Sequence, residues 1–182
     1  MMRYLLLFSM IFLCQCHGYE KNNMKYTLNF STSYNQFYIA DKLYSGDTDS
    51  DNFWTDESYH DRLVMESGIL GVSTQSYGLI QGEVFLLQEP VKEIDFSKYD
   101  HIVEAGISIE SGVLQILDCP NSSVELEIKI KPGKYRVRVY GSNFSSVKEN
   151  DLSNSTDNDF YKIEIWPQDN VGRKVLKQYI GK

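Results

Sequence analysis

The sequence predicts an all-β fold, an antiparallel β-sandwich of about seven to nine strands with one short helix. Three observations lead to this prediction. Apolar and polar residues alternate with a period of two in one segment after another from Lys25 onwards. Turn signals recur about every 8–12 residues between these segments. The segments are also rich in aromatic and β-branched residues, which favour strands.

The first 16 residues precede this domain and predict an export signal. MMRYLLLFSMIFLCQC contains one basic residue, Arg3, and an apolar run that ends at Leu13. The run is shorter than the roughly 20 residues that a membrane-spanning helix needs, which favours a signal peptide. Cys16 also matches a bacterial lipoprotein signal, so free export and a lipid anchor on Cys16 both stay open. Residues 24–182 then form a single β-sandwich domain, periplasmic or at the cell surface.

The domain that remains holds one cysteine, Cys119, and therefore no internal disulfide. We expect Cys119 to be a small buried residue at the end of a strand.

The domain begins with a long alternating segment, KYTLNFSTSYNQFYIAD. Leu28 and Phe30 share one face, and Phe37 and Ile39 share a face after a slip near residues 31–33. The pattern predicts one long strand or two strands joined by a bulge.

A short helix is predicted from Asp56 to about Met65. Thr55 can cap its first turn, and Trp54 and Tyr59 have the spacing of a hydrophobic staple.

The rest of the chain predicts strands and turns. The strand segments are ILGVSTQS, LIQGEVFLLQ, HIVEAGISIES, GVLQILDC, SVELEIKIK, YRVRVYGSN and YKIEIWPQ. Within them, VELEIKIKPGKYRVRVYG predicts a hairpin that turns at Pro132-Gly133, with Glu125 and Glu127 facing Arg136 and Arg138 across it on a solvated face. Residues 142–159 form a long polar loop, and the basic C-terminal segment is a last strand or a loose end.

The charge of the chain bears on its partners. The net charge is -7 at pH 7, which disfavours direct binding to a phosphate backbone. A basic protein partner suits such a surface better.

The acids concentrate in SGDTDSDNFWTDESYHDRL, residues 45–63. Asp47, Asp49 and Asp51 match the first ligand positions of a helix-loop-helix calcium site, but Asn52 replaces the required glycine and Ser58 the bidentate glutamate. We therefore predict no metal and no other cofactor.

Two interpretations of this segment stay open. It is an acidic contact surface, with Asp56 and Glu57 adding to the aspartates and Trp54 as an anchor, or it is a solvated loop over a buried Trp54. Residues 41–61 hold seven acids against Lys42 alone.

Catalysis finds little support in the sequence. The histidines are His17, His60 and His101, and no nucleophile, zinc or phosphate-binding motif accompanies them. We predict a protein that is not an enzyme.

Five motifs in order carry a resemblance to a known family: Ser33-Tyr34-Asn35-Gln36-Phe37, Trp54-Thr55-Asp56-Glu57, Gly71-Val72-Ser73, Ile107-Ser108-Ile109-Glu110-Ser111 and Pro132-Gly133-Lys134-Tyr135. With these motifs, residues 26–168 resemble the competence protein J (ComJ) family of bacterial nuclease inhibitors.

The resemblance implies a binding protein that complexes a nuclease of the DNA-entry type at its basic active-site cleft and suppresses it. Of the predicted contact residues, Trp54, Asp56 and Glu57 lie in a matching motif, and Asp47, Asp49 and Asp51 are inferred from charge. The alternative is an exported binding module for carbohydrate or a surface protein, because 13 tyrosines and two tryptophans suit sugar stacking.

Overall fold

The computed structural model of the protein describes residues 23–50, 52–169 and 172–181. Within these ranges the chain forms eleven strands, one α-helix and two short 3₁₀ turns. The strands are β1 (Met24–Ser31), β2 (Gln36–Asp41), β3 (Leu63–Glu66), β4 (Ile69–Ser73), β5 (Leu79–Leu86), β6 (His101–Ile109), β7 (Val113–Leu117), β8 (Val124–Lys129), β9 (Gly133–Ser142), β10 (Phe160–Pro167) and β11 (Lys174–Lys177). The helix is α1 (Asp56–His60).

The strands form two sheets, which confirms the all-β fold class. Sheet I has the order β1-β5-β10-β9-β6-β11, and sheet II has the order β3-β4-β2-β7-β8. Neighbours pair antiparallel except β5 and β10, which are parallel. The strand number exceeds the predicted seven to nine because the first segment supplies two strands and the four-residue β3 and β11 add two more.

The main core lies between the sheets. Alternate residues of each strand point into it, among them Leu28 and Phe30 from sheet I and Phe37 and Ile39 from sheet II, as predicted. All four side chains are at most 7% exposed, so the space between the sheets buries them.

The first alternating segment is two strands that belong to different sheets. Tyr34 and Asn35 both have positive φ (59° and 55°), so the chain reverses its direction between β1 and β2. The predicted slip is therefore a crossover turn and not a bulge.

Helix α1 begins as predicted but ends sooner. The Thr55 side chain accepts from the Ser58 backbone N–H, and the Ser58 side chain accepts from the Thr55 backbone N–H. These two bonds make a capping box. The helix ends at His60 because Arg62 has φ of 56° and β3 starts at Leu63. The expected extension to Met65 is wrong.

The predicted hairpin of β8 and β9 is also wrong. β8 pairs with β7 in sheet II, and β9 pairs with β6 and β10 in sheet I, so Pro132-Gly133 connects the two sheets. Glu127 consequently bonds to Lys42 (3.3 Å) and Gln115 (2.9 Å) instead of an arginine.

The two arginines of β9 are buried on the outer face of sheet I. Arg138 pairs with Glu104 of β6 and with Glu164 of β10 (3.2 Å), and Arg136 pairs with Glu104 (3.2 Å). A face that was predicted to be solvated is thus a covered ionic network.

Residues 87–99 form a strap over this network. The Val91 carbonyl accepts from Arg138 at 3.1 Å, and the Tyr99 ring lies 4.5 Å from the Tyr140 ring. β9 therefore has buried residues on both faces.

The start of the long polar loop and the C-terminal segment both pack against the sandwich. Phe144 is 1% exposed and belongs to the main core. The C-terminal segment is a last strand, because β11 pairs with β6 at the edge of sheet I.

Candidate functional site

The acidic segment, which we define as residues 45–50 and 52–57, runs across the outer face of sheet II from the loop after β2 into the first turn of α1. Phe53 anchors it, being 2% exposed with its ring 6.1 Å from the ring of Tyr38. Val64 and Ile69 join these rings in a second, smaller apolar cluster. The segment therefore lies on a packed surface and is fixed at its centre.

Two of the predicted contact aspartates lie side by side on this surface. Asp47 and Asp49 are exposed. The backbone N–H of Asp49 donates to a carboxylate oxygen of Asp47 at 2.9 Å, which closes a local turn. The predicted contact residue Asp51 lies outside the described residues, as does Cys16 with the whole predicted leader.

The first turn of α1 carries the next two acids. Asp56 and Glu57 are exposed and directly follow the cap Thr55. Their negative charge is favourable there because the first backbone N–H groups of a helix are unpaired.

Trp54 is half-buried between the acidic residues and the outer face of sheet II. Its ring stacks on Tyr59 with centroids 4.8 Å apart and 25° between the planes, which confirms the predicted staple. Its Nε1 is buried and has no hydrogen-bond partner among the described residues.

Some of the acids in residues 41–61 serve the fold. Asp41 is buried and accepts from the backbone N–H groups of Glu110 (2.7 Å) and Ser111 (3.2 Å). Burial acts to raise the pKa of Asp41, but the hydrogen bonds from Ser111 and Glu110 outweigh it and lower that pKa. This carboxylate fixes the turn between β6 and β7.

Arg173 partly neutralises the helix. Its guanidinium lies 2.7 Å from Asp61 and 3.0 Å from Glu57. Asp47, Asp49 and Asp56 form no ion pair within the described part of the chain, so they carry the unbalanced charge of this surface.

Both ring nitrogens of His101 are engaged within the fold. His101 is buried, accepts at Nδ1 from the Tyr179 N–H (3.2 Å) and donates from Nε2 to the Asp61 carbonyl (3.0 Å). Burial, the larger cause, lowers the pKa of His101 to about 4. His60 is exposed on α1, as predicted for a surface residue.

The buried thiol also fits its prediction. Cys119 is 4% exposed just after β7, with its Sγ 3.5 Å from the Tyr38 hydroxyl. Burial first, and then the bond with Cys119, raises the pKa of Tyr38, so the phenol stays neutral.

Neither a metal cluster nor a membrane helix is found in the described ranges. No three acidic, histidine or cysteine side chains of residues 23–50, 52–169 and 172–181 converge to hold a metal ion. No helix in the same ranges is long and apolar enough to cross a bilayer.

The structure adds a cleft beside α1 that the sequence did not predict. Arg62, Phe144 and Tyr179 meet there. These residues are far apart in the chain. Positive φ is usually predicted from a glycine, and position 62 is an arginine, so no sequence signal marked the cleft.

The fold defines a class of proteins with known structures. No protein-family model and no curated protein sequence matches the chain, but its fold is that of the ComJ-like β-sandwiches. One such structure is ComJ from Bacillus subtilis, described as the inhibitor of the DNA degrading activity of NucA. The TM-score is 0.59 at 15% identity, over 80% of this chain and 98% of that one. A second is the crocagin biosynthetic gene J product, with a TM-score of 0.53 at 16% identity, over 81% and 99% of the two chains.

Proposed function

We propose that this protein binds a DNA-degrading nuclease and inhibits it, and that the acidic segment makes the contact. The observation that carries the proposal is the pairing of a ComJ-like fold with exposed carboxylates that form no ion pair among the described residues, Asp47, Asp49 and Asp56. The partner is a protein and not DNA, because a net charge of -7 repels phosphate.

The physical basis is competition for a cationic cleft. A nuclease holds its substrate through positive groups that face phosphates. Carboxylates on the acidic segment would occupy the same positions and exclude DNA without any reaction. Charge complementarity of this kind speeds and orients docking, and it weakens as salt rises.

The packing of the segment favours binding. Phe53 is buried, and Thr55 caps the helix that follows it. A surface already held in shape loses less conformational entropy when it binds. Trp54 lies among the acids and would supply apolar contact area at their centre.

We propose further that the chain is exported and that it meets the nuclease outside the cytoplasm. Either the leader of residues 1–16 is removed, or cleavage leaves Cys16 as the lipid-modified first residue. The leader-like composition of these residues supports this part of the proposal.

A digestion assay tests the function. Plasmid DNA is digested by NucA from Bacillus subtilis, and in parallel by a nuclease purified from the organism that encodes this chain, while the protein is titrated in. We expect at least one digestion to stop near stoichiometric protein and to recover as salt is raised. If both proceed at full rate with a hundredfold excess at low salt, the protein is not an inhibitor of these nucleases.

A further inference from the structure

A cleft of about 710 Å³ opens beside the end of α1. The loop that follows β9 forms one wall, and the C-terminal residues 178–181 form another. The volume falls in the range of small-molecule sites, which hold roughly 300–1,000 Å³. Its walls are apolar where Phe144, Val147 and Tyr179 contribute, and polar where Asn150 and Gln178 do.

The side chain of Arg62 lines this cleft with unused hydrogen-bonding capacity. Its guanidinium carbon lies 4.8 Å from the centre of the Phe144 ring and 5.5 Å from that of Tyr179. It donates to the Thr74 carbonyl (3.4 Å) and to the side-chain carbonyl of Gln75. A guanidinium has five N–H donors, and in the described part of the chain only two of its nitrogens donate.

The charge of Arg62 has no direct counter-ion. No carboxylate of the described residues forms an ion pair with it, and none lines the cleft. Asp159 acts on the guanidinium only at longer range, since its carboxylate accepts from the Tyr161 hydroxyl, which in turn accepts from the Gln75 backbone N–H. A partly buried cation without a paired carboxylate is costly, so the cleft suits an anion.

The backbone at Arg62, which ends α1, also brings its side chain to the cleft. Its φ of 56° is uncommon for a residue with a side chain. Strain of this kind concentrates at ligand sites, where it aims a particular side chain. In this chain the residue with positive φ comes directly after the last turn of α1, and its guanidinium lines the cleft.

The geometry points to a binding site in this cleft for a carboxylate joined to an apolar group, with Arg62 bonded to the carboxylate and Phe144, Val147 and Tyr179 around the apolar group. A planar guanidinium matches a carboxylate with two parallel hydrogen bonds. Asn150 Nδ2 and Gln178 Oε1 would bond to an amide of the ligand, because Gln178 Nε2 already donates to the His60 and Tyr179 carbonyls and Asn150 Oδ1 accepts from Gln75. A free carboxylic acid and the C-terminus of a peptide share this chemistry.

Calorimetric titration with matched probes tests the site. The probes are 3-phenylpropanoate and acetyl-Gly-Gly-Phe with a free C-terminus, each compared with its uncharged amide. We expect at least one acid to bind saturably and its amide to bind about tenfold more weakly or worse, since one charged hydrogen-bonded contact is lost. Tighter binding of the peptide acid assigns a peptide C-terminus, and tighter binding of 3-phenylpropanoate assigns a free acid.

Two variants locate the binding. Arg62→Gln should abolish the preference for the acid over the amide. Since Arg62 packs on two rings, Ser145→Trp provides a second variant that leaves the arginine intact and obstructs the cleft, and Ser155→Trp is its control on the same loop outside the cleft. Binding should be lost in Ser145→Trp and kept in Ser155→Trp.

Three results would overturn the site: equal binding of acid and amide, no binding of either acid at 10 mM, or unchanged binding by Ser145→Trp. No nuclease is present in these titrations, so their outcome is separate from that of the digestion assay.

Discussion

Arg173 and Asp61 form an ion pair in which Nε and Oδ2 are 2.7 Å apart, although 112 residues separate them. The same guanidinium reaches Glu57 at 3.0 Å and donates to the Leu63 carbonyl at 3.1 Å. One side chain next to β11 therefore holds α1 and the start of β3 against the edge of sheet I. It also decides which acids of the helix remain unbalanced.

Replacing Arg173 with glutamine should lower the free energy of unfolding by about 1–3 kcal/mol, because Asp61 loses a charged bond at a site that is mostly shielded from water. Urea denaturation measures the change. Lys25→Gln is the control, since the Lys25–Glu83 pair is more exposed and should contribute less than about 1 kcal/mol. Equal losses in the two variants would mean that Arg173 does not hold the helix in place.

Stability should fall as the pH drops from 6.5 towards 4, and His101 should account for part of the fall. Its pKa is about 4 in the folded chain and 6.5 when unfolded, so in this window the unfolded state binds more protons and is favoured by acid. The full effect is about 3 kcal/mol.

Unfolding measured from pH 4 to 7 in His101→Gln checks this assignment. The variant should show a shallower dependence on pH than the parent, whereas His60→Gln, which changes an exposed histidine, should keep the parent slope. A parent-like slope in His101→Gln would show that His101 does not titrate as described.

Trp54→Phe should separate packing from partner binding. The indole N–H has no hydrogen-bond partner among the described residues, so its removal should cost less than about 1 kcal/mol of stability. Affinity for the nuclease should fall about tenfold if the indole is a contact anchor. Trp166→Phe is the control for the fold, because it removes a bond to Gln168 (2.7 Å) and should destabilise more. An unchanged nuclease affinity in Trp54→Phe would exclude Trp54 from the contact.

The leader can be tested in the native host. If Cys16 carries lipid, the full chain should partition into the detergent phase, and Cys16→Ser should move it to the aqueous phase. Mass spectrometry of the mature N-terminus distinguishes an acylated Cys16 from a simple cleavage. A parent protein that is aqueous and begins beyond Cys16 would establish free export.

Strands were predictable from sequence where apolar residues alternate with polar ones and one face of the strand is buried. Residues 124–130 and 135–139 show why their partners were not. Their alternation is equally compatible with a hairpin and with strands in two sheets, and Pro132-Gly133 permits both connections. Arg136 and Arg138 alternate like solvated residues, but distant segments cover them: the Val91 carbonyl accepts from Arg138, and the Gly172 carbonyl accepts from Arg136.

The candidate site was predictable to a similar extent. The cap Thr55, the staple of Trp54 and Tyr59, and the exposure of Asp47 and Asp49 follow from local composition and spacing. The pairing of Glu57 with Arg173 depends on tertiary contacts, and the sequence carries no sign of it.

The central claim is that the acidic segment contacts the nuclease. The most direct test is the dissociation constant of the complex, measured for two double variants that each remove two negative charges. Asp47→Asn with Asp49→Asn keeps the acceptor for the local turn and removes two charges, while Glu93→Gln with Asp151→Asn removes two exposed charges elsewhere. We expect the first pair to weaken binding at least tenfold at low salt and the second to change it less than about twofold. Equal weakening by both pairs, or none by the first, would contradict the account.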